Sequence, residues 1–465
     1  MSHASTALSL NRILDLVDAV PQIDRFPTVD ELVASFDELA AGEPALVRRR
    51  RVGASRLGEP IHALTIGSGR DHAVVFGGIH PNEPIGGPTA LHLARTLVAD
   101  AQLREELDYT WHIIGCADPD GMRLNEDWFS GTLDRSEYGR RFFRPASDEQ
   151  VEWTFPLEYK ELYFDRVIPE TLALMRLIDD VRPTFMCSLH NGELGGVYYY
   201  LSAEAPELYP FLHAIPAHVG IPLDSGEPEI PYAPLYATAI FGETGVEQHY
   251  EFVAALGMDP TEGLDSGTSG PAYARKYNTL SLISELPYWA HPDAGDETPT
   301  DTPYPEVLRQ RAEGLGDLGA TISSVLAELA PDLILESPFL RAMRQFAPHF
   351  SQNAEREAHR AVLPDNDRVA TVAEVYTSAD TVHGFRMRYG GMTLRLMEAE
   401  INAGNGTPRI REQYRRMTAI YEQWSVEALK VTPAETLPIK SLVGVQFGAI
   451  LAASAYAIGR HGPGR

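Results

Sequence analysis

The 465-residue sequence predicts an α/β fold followed by a helical C-terminal region, on three observations. Apolar runs rich in β-branched and aromatic residues alternate with helix-spaced segments through about residue 330. Four of those runs break directly into polar or turn-forming residues: HPNE, DPDG, HNGE and ELP. Beyond about residue 335, apolar residues recur only at helical spacing.

Taken in order, MSHASTALSLNRILDLVDAVPQ reads as an amphipathic helix. It lacks a basic stretch followed by an apolar core, so no secretory signal is expected and the protein is placed in the cytoplasm. HAVVFGG (72–78) reads as a buried strand, GGPTALHLARTLV (86–98) as a helix, and YTWHIIGCA (109–117), RPTFMCSLH (182–190) and NTLSLISEL (278–286) as three further strands. In open α/β sheets, catalytic groups collect at the carboxyl ends of strands, so four such ends can build one site.

In the tail, SPFLRAMRQFAPHF repeats apolar residues at Leu340, Met343 and Phe346. IREQYRRMTAIYEQWSVEALKV does so at Ile410, Tyr414, Met417, Tyr421 and Trp424, with NAGNGTPR (402–409) as the turn between two helices. Leu442 to Gly459 is long enough to span a membrane, but Gln446 interrupts it and Ala and Gly are frequent, so a buried packing helix is expected. The division that follows is a catalytic domain over 1–330 and a helical region over 331–465.

Composition limits the function classes. The chain carries 39 Lys+Arg against 65 Asp+Glu, a formal charge of −26, which disfavours nucleic acid and anionic membranes as partners. Cys116 and Cys187, the two cysteines, each lie in an apolar run, which suits buried thiols better than a disulfide or a thiolate metal site.

His80 and Glu83 stand just past the first strand, and an imidazole with a nearby carboxylate can offer two ligands to one zinc ion. HxxE alone decides little, since it also occurs at 190–193. Its placement decides more: His190 ends another strand and supplies the natural third ligand, and Glu285 ends a third strand without a ligand's duty. A glutamate beside a metal-activated water can act as general base.

The ordered set GGIHPNE, ADPDG, SLHNGELGG and DSGTSGPAYARKYNTLSLISELP resembles the zinc metallocarboxypeptidases of the carboxypeptidase A and B type, and more distantly the succinylglutamate desuccinylase/aspartoacylase group. Residues 26–67 are similar to that family's opening helix and strand hairpin, so the resemblance covers about 26–330. It implies a three-layer αβα fold around a mixed, mostly parallel twisted sheet. It further implies one Zn2+ per chain held by His80, Glu83 and His190, with Glu285 as catalytic base. The 18 residues from Gly267 to Glu285 keep the family's register, and Asp118 to Gly121 resembles its Asn-Pro-Asp-Gly turn.

The family also uses one arginine at the oxyanion and an Asn-Arg pair on the substrate carboxylate. No such pair occurs here, but Arg123, Arg135, Arg140, Arg141 and Arg144 cluster within 121–145. Arg144, with Arg141 beside it, is assigned to carboxylate binding and Arg135 to the oxyanion, with surface ion pairing as the alternative. The positions of the family's substrate-binding tyrosine and Asp-Trp pair fall on Gly263, Gly270 and Pro271. Tyr199, with Tyr198 and Tyr200, is the expected aromatic lining, although alternate strand residues face opposite sides. His249 is read as packing rather than as a second metal site.

Three readings follow. The first is a metallocarboxypeptidase acting on a peptide C-terminus, and the second a deacylase of small N-acyl amino acids. The third, a catalytically silent binding protein, would lack a ligand or the base, yet His80, Glu83, His190 and Glu285 are all present. A peptide or N-acyl amino acid is the expected partner, and the C-terminal helices could support a homo-oligomer.

Overall fold

The computed structural model describes residues 8–130 and 134–460. The chain folds around a nine-stranded sheet made of β1 (Val47–Ala54), β2 (Pro60–Ile66), β3 (Asp71–Phe76), β4 (Tyr109–Ile114), β5 (Phe185–Leu189), β6 (Tyr198–Leu201), β7 (Leu235–Ala237), β8 (Ile240–Gly242) and β9 (Leu280–Glu285). Their spatial order is β1-β2-β4-β3-β5-β9-β6-β8-β7. The central four, β4, β3, β5 and β9, run parallel, and antiparallel pairs flank them, so six of the nine strands point one way. The mixed, mostly parallel sheet expected from the sequence is present.

The centre is parallel because its strands are apolar on both faces. Alternate residues of β3 and β5 enter separate cores: Ala73, Val75, Phe185, Cys187 and Leu189 on one side, Val74, Phe76 and Met186 on the other. Helices α1 (Leu10–Asp18), α2 (Val29–Gly42) and α3 (Gly86–Ala99) belong to the first layer. In α2, Thr28 and Glu31 form a reciprocal capping box that satisfies two otherwise orphaned backbone amides. Helices α4 (Arg135–Arg141) and α5 (Pro169–Val181) follow, and α5 covers the second face through Leu174, Leu177 and Ile178. Edge strand β1 exposes Arg48 to Arg51, charges that discourage pairing with another sheet.

Two more helices precede the tail, α6 (Tyr209–His218) and α7 (Val246–Ala255). The helical region begins with α8 (Tyr304–Leu329), which packs side by side with α9 (Pro338–Arg360). Gly316 faces Ala354, and Gly319 faces Ser351, so the pair runs antiparallel. Helix α10 (Val372–Asn402) lies against both and against α4, and α11 (Pro408–Val431) packs on α10.

The last helix, α12 (Ile439–Arg460), returns to the sheet and packs on α1, α3, α6, β5 and β9. Among the described residues it is the one helix long and apolar enough to cross a membrane, and 78% of its apolar window is buried inside the protein.

Candidate active site

Strands β3, β5 and β9 are neighbours in register, with Phe76 opposite Ser188 and Leu189 opposite Ser284. Their carboxyl ends therefore deliver His80 and Glu83, His190, and Glu285 to one place. After β3 the chain reverses at Gly77 and Gly78, the latter at φ 61° in the left-handed region. A Cβ on Gly77 would sit 2.5 Å from the backbone carbon of Gly86, so only glycines let the strand end touch the start of α3. That close approach folds HPNE into a compact loop.

Ligand-type atoms of His80, Glu83 and His190 all lie within 4.8 Å of one another, and all three residues are buried. His190 Nδ1 is 3.2 Å from Glu83 Oε2 and 3.7 Å from Glu285 Oε1. Its other nitrogen, Nε2, is 2.6 Å from Ser188 Oγ, which fixes the ring and leaves Nδ1 facing the cluster. His80 Nδ1 is buried with no hydrogen-bond partner, and burial, then the positive charge of Arg144, hold its imidazole well below its ordinary pKa and hence neutral.

Burial pulls the pKa of His190 down, but Glu285, Glu83 and Glu152 outweigh it and leave the value up at about 9. Burial also pushes Glu152 up to about 7 and Glu285 well above the carboxylate range. An unpartnered neutral histidine nitrogen beside a surplus of buried carboxylates is a donor set that fits a divalent cation such as zinc.

Supporting groups fix these side chains. The Asn191 backbone amide donates to Glu83 Oε2 at 3.2 Å. Gln446 of α12, fully buried, donates through Nε2 to the carbonyls of His190 at 2.8 Å and Ser284 at 3.2 Å, while its Oε1 accepts from Thr89 of α3 at 2.9 Å. One polar side chain in an apolar helix thus ties together the backbones that carry His190 and Glu285. Glu193, at φ 67°, is gripped by Arg388, Tyr138 and Asn82, so its carboxylate is already engaged.

Over residues 32–218 the sequence matches the zinc carboxypeptidase family. That segment, about two fifths of the chain, is similar to the zinc carboxypeptidases. The family's members are zinc-dependent hydrolases, and the matched segment contains His80, Glu83 and His190 but ends before Glu285.

No curated protein matches the chain. Solved structures similar to it include carboxypeptidase A from Helicoverpa armigera, at 15% identity over 76% of this chain and 79% of that one, with a TM-score of 0.36. A metallo-carboxypeptidase from Burkholderia cenocepacia matches at 17% identity over 56% and 60%, TM-score 0.35. A murein-tripeptide amidase from Escherichia coli O157 matches at 15% identity over 52% and 88%, TM-score 0.26.

In this structure the expected site residues divide. His80, Glu83, His190, Glu285 and Arg144 line a single cleft of about 540 Å³. Arg144 donates from Nη1 to Glu83 Oε1 at 3.2 Å and from Nε to Gln150 Oε1 at 3.0 Å, with its guanidinium 5.2 Å from the Trp153 ring centre.

Arg135 is not in the cleft. Its guanidinium is 2.7 Å from Asp380 Oδ1 and donates to the Thr432 carbonyl, a buried clasp between α4 and the helical region. Arg141 lies on the surface, paired with Glu137 at 2.9 Å. Tyr199 is also misplaced by the sequence reading: it points into the main core with its hydroxyl unpartnered, while Tyr198 and Tyr200 line the cleft, as strand alternation requires.

Arg135→Ala therefore tests a structural role against a catalytic one. Leaving Asp380 buried without its partner is expected to destabilise the fold by about 3–5 kcal/mol in chemical denaturation, with kcat of the folded fraction unchanged. A kcat loss of about a hundredfold or more would return Arg135 to the oxyanion.

Sequence reasoning missed most of one wall. Arg311 and Leu315 of α8, Phe346, Arg356 and Arg360 of α9, and Phe385, Arg388 and Tyr389 of α10 all line the cleft. Helical periodicity marks their apolar faces but carries no signal of what those faces cover. Glu152 and Trp153 likewise belong to no recognisable spacing.

Proposed function

We propose that this protein hydrolyses an amide bond with one zinc ion held by His80, Glu83 and His190, and that its substrate is a peptide cut at the C-terminus. The observation that carries the reading is the convergence of three ligand-type side chains, which lie in a segment similar to the zinc carboxypeptidases, with the carboxylate of Glu285 in one cleft. The bound zinc would supply a Lewis acid that polarises the scissile carbonyl and acidifies a water.

This chain's own residues do the rest. Glu285 takes a proton from the attacking water and returns it to the departing nitrogen. Arg144 lies in the cleft against Glu83, and its guanidinium is the cation that stabilises a developing carbonyl oxyanion. It thereby takes the role that the sequence reading gave to Arg135. Trp153 meets His80 in a T-shaped contact and lies under the Arg144 guanidinium, and so helps exclude water from both.

A second reading, deacylation of a small N-acyl amino acid, is favoured by the helical wall, which lines one side of a cleft of about 540 Å³ that suits a compact substrate. The test is turnover of a panel of peptides and N-acyl amino acids with and without a chelator. Chelator-sensitive release of C-terminal residues supports the peptidase; release confined to N-acyl amino acids transfers the assignment to the deacylase. Two free cysteines, one of them fully buried, are compatible with a cytoplasmic setting.

A further inference from the structure

We infer that the helical region builds an anion subsite in the catalytic cleft, in which Arg311 and Arg356 bind a carboxylate of the substrate. The inference rests on the hydrolase reading above for the word substrate, and on independent geometry for the site.

Arg311 projects from α8 into the cleft with its side chain 10% exposed. Its Nε and Nη1 are buried without a hydrogen-bond partner. The nearest carboxylate, Glu227 Oε1, is 3.9 Å away, too far to accept a hydrogen bond. Glu227 is also already occupied: Arg360 donates to its Oε1 at 2.7 Å and the Tyr304 hydroxyl donates to its Oε2. A buried guanidinium with two unused donors carries a desolvation cost that an anion would remove.

Arg356 lies one turn before Arg360 on α9, so the two side chains share a helix face. Its polar partners are neutral: Asn353 Oδ1, and His249 Nε2 at 3.4 Å. His249 in turn meets the Tyr232 hydroxyl through Nδ1 at 3.1 Å, and burial holds its pKa down at about 4, so the ring stays uncharged. No carboxylate among the described residues comes within ion-pair distance of Arg356, although acidic residues dominate this chain.

Arg360, by contrast, is consumed by Glu227 and Glu357 and serves to hold Glu227 in place. The cleft therefore has two cations with spare donors, both from helices outside the matched family segment, on the wall built by α8 and α9. Guanidinium forks suit a planar carboxylate, which can accept two parallel hydrogen bonds from one fork. That carboxylate has two chemical sources, the C-terminus of a peptide or the acyl portion of a diacid amide, and the same arginines would take either.

The test compares Arg356→Gln and Arg311→Gln with wild type on three probes: an N-acetyl peptide with a free C-terminal carboxylate, its C-terminal carboxamide, and an N-succinyl amino acid amide. Glutarate binding is measured separately by calorimetry on the zinc-loaded protein. For the carboxylate substrate, KM is expected to rise about tenfold in either variant with kcat little changed, and glutarate to bind about tenfold more weakly. The carboxamide should show no such loss. The peptide and succinyl probes reveal which source is used by which of them responds.

Equal losses on carboxylate and carboxamide, or undiminished glutarate binding in a folded Arg356→Gln, would overturn the subsite while leaving the hydrolase reading intact. Wild-type protein that cleaves nothing yet loses glutarate binding in both variants would keep the subsite and remove the hydrolase reading. Arg356 is only half-buried, so its variant preserves the test should Arg311→Gln fail to fold.

Discussion

Glu285→Gln is expected to retain its zinc and its fold while amide hydrolysis falls by roughly two to four orders of magnitude, the usual contribution of a positioned general base. The substitution keeps the size and hydrogen-bonding capacity of the side chain and removes only the group that accepts the proton. Glu285 Oε1 lies 3.7 Å from His190 Nδ1, beside the His80, Glu83 and His190 group that would hold a metal but outside it. Elemental analysis and turnover, measured on the same preparation, separate the two functions. Loss of zinc from Glu285→Gln would make it a ligand, and retained turnover would move the base elsewhere, with Glu152 the next buried carboxylate against His190, at 3.8 Å.

His190→Ala gives the opposite pattern. Metal affinity should fall by at least about a hundredfold, since even the outer groups that merely orient ligands cost ten- to a hundredfold when lost. Zinc content after gel filtration should then drop to a small fraction of wild type, with far-UV circular dichroism unchanged and hydrolysis abolished. Full zinc content in this variant would require a replacement ligand. Glu193 is poorly placed for that duty because Arg388, Tyr138 and Asn82 hold its carboxylate.

How much of this was legible from the amino acids differs residue by residue, for physical reasons. The group of His80, Glu83 and His190 was readable because strand ends are marked twice, by an unbroken apolar run and by the turn chemistry that stops it; β3, β5 and β9 then proved to be adjacent and parallel. Their adjacency is a matter of long-range pairing, which local patterns do not encode, and it is what turns three separate motifs into one site.

Of the five arginines singled out in the sequence only Arg144 lines the cleft, because spacing along a loop and short helix says nothing of side-chain direction. Arg135 turned toward Asp380 on a helix 245 residues away, and Arg144 turned toward Glu83. Tyr199 failed for a simpler reason: within β6 the parity is fixed by pairing, and Tyr198 and Tyr200 received the cleft side. Gln446 lies between these cases. Its polarity inside an apolar helix was plain in the sequence, but its purpose appears only when α12 lies against the backbones of His190 and Ser284. The wall made by α8, α9 and α10 left the least trace, since amphipathic spacing shows that a helix covers something without showing what.

The central claim is that His80, Glu83 and His190 form a zinc centre that serves hydrolysis, and metal content tests it most directly. Wild-type protein, purified without added metal and then equilibrated with zinc, should contain one zinc per chain by elemental analysis, lose its amide hydrolysis on chelation, and recover it when zinc is returned. A protein that takes up no zinc, or that cleaves amides equally well after the zinc is stripped, would contradict the account.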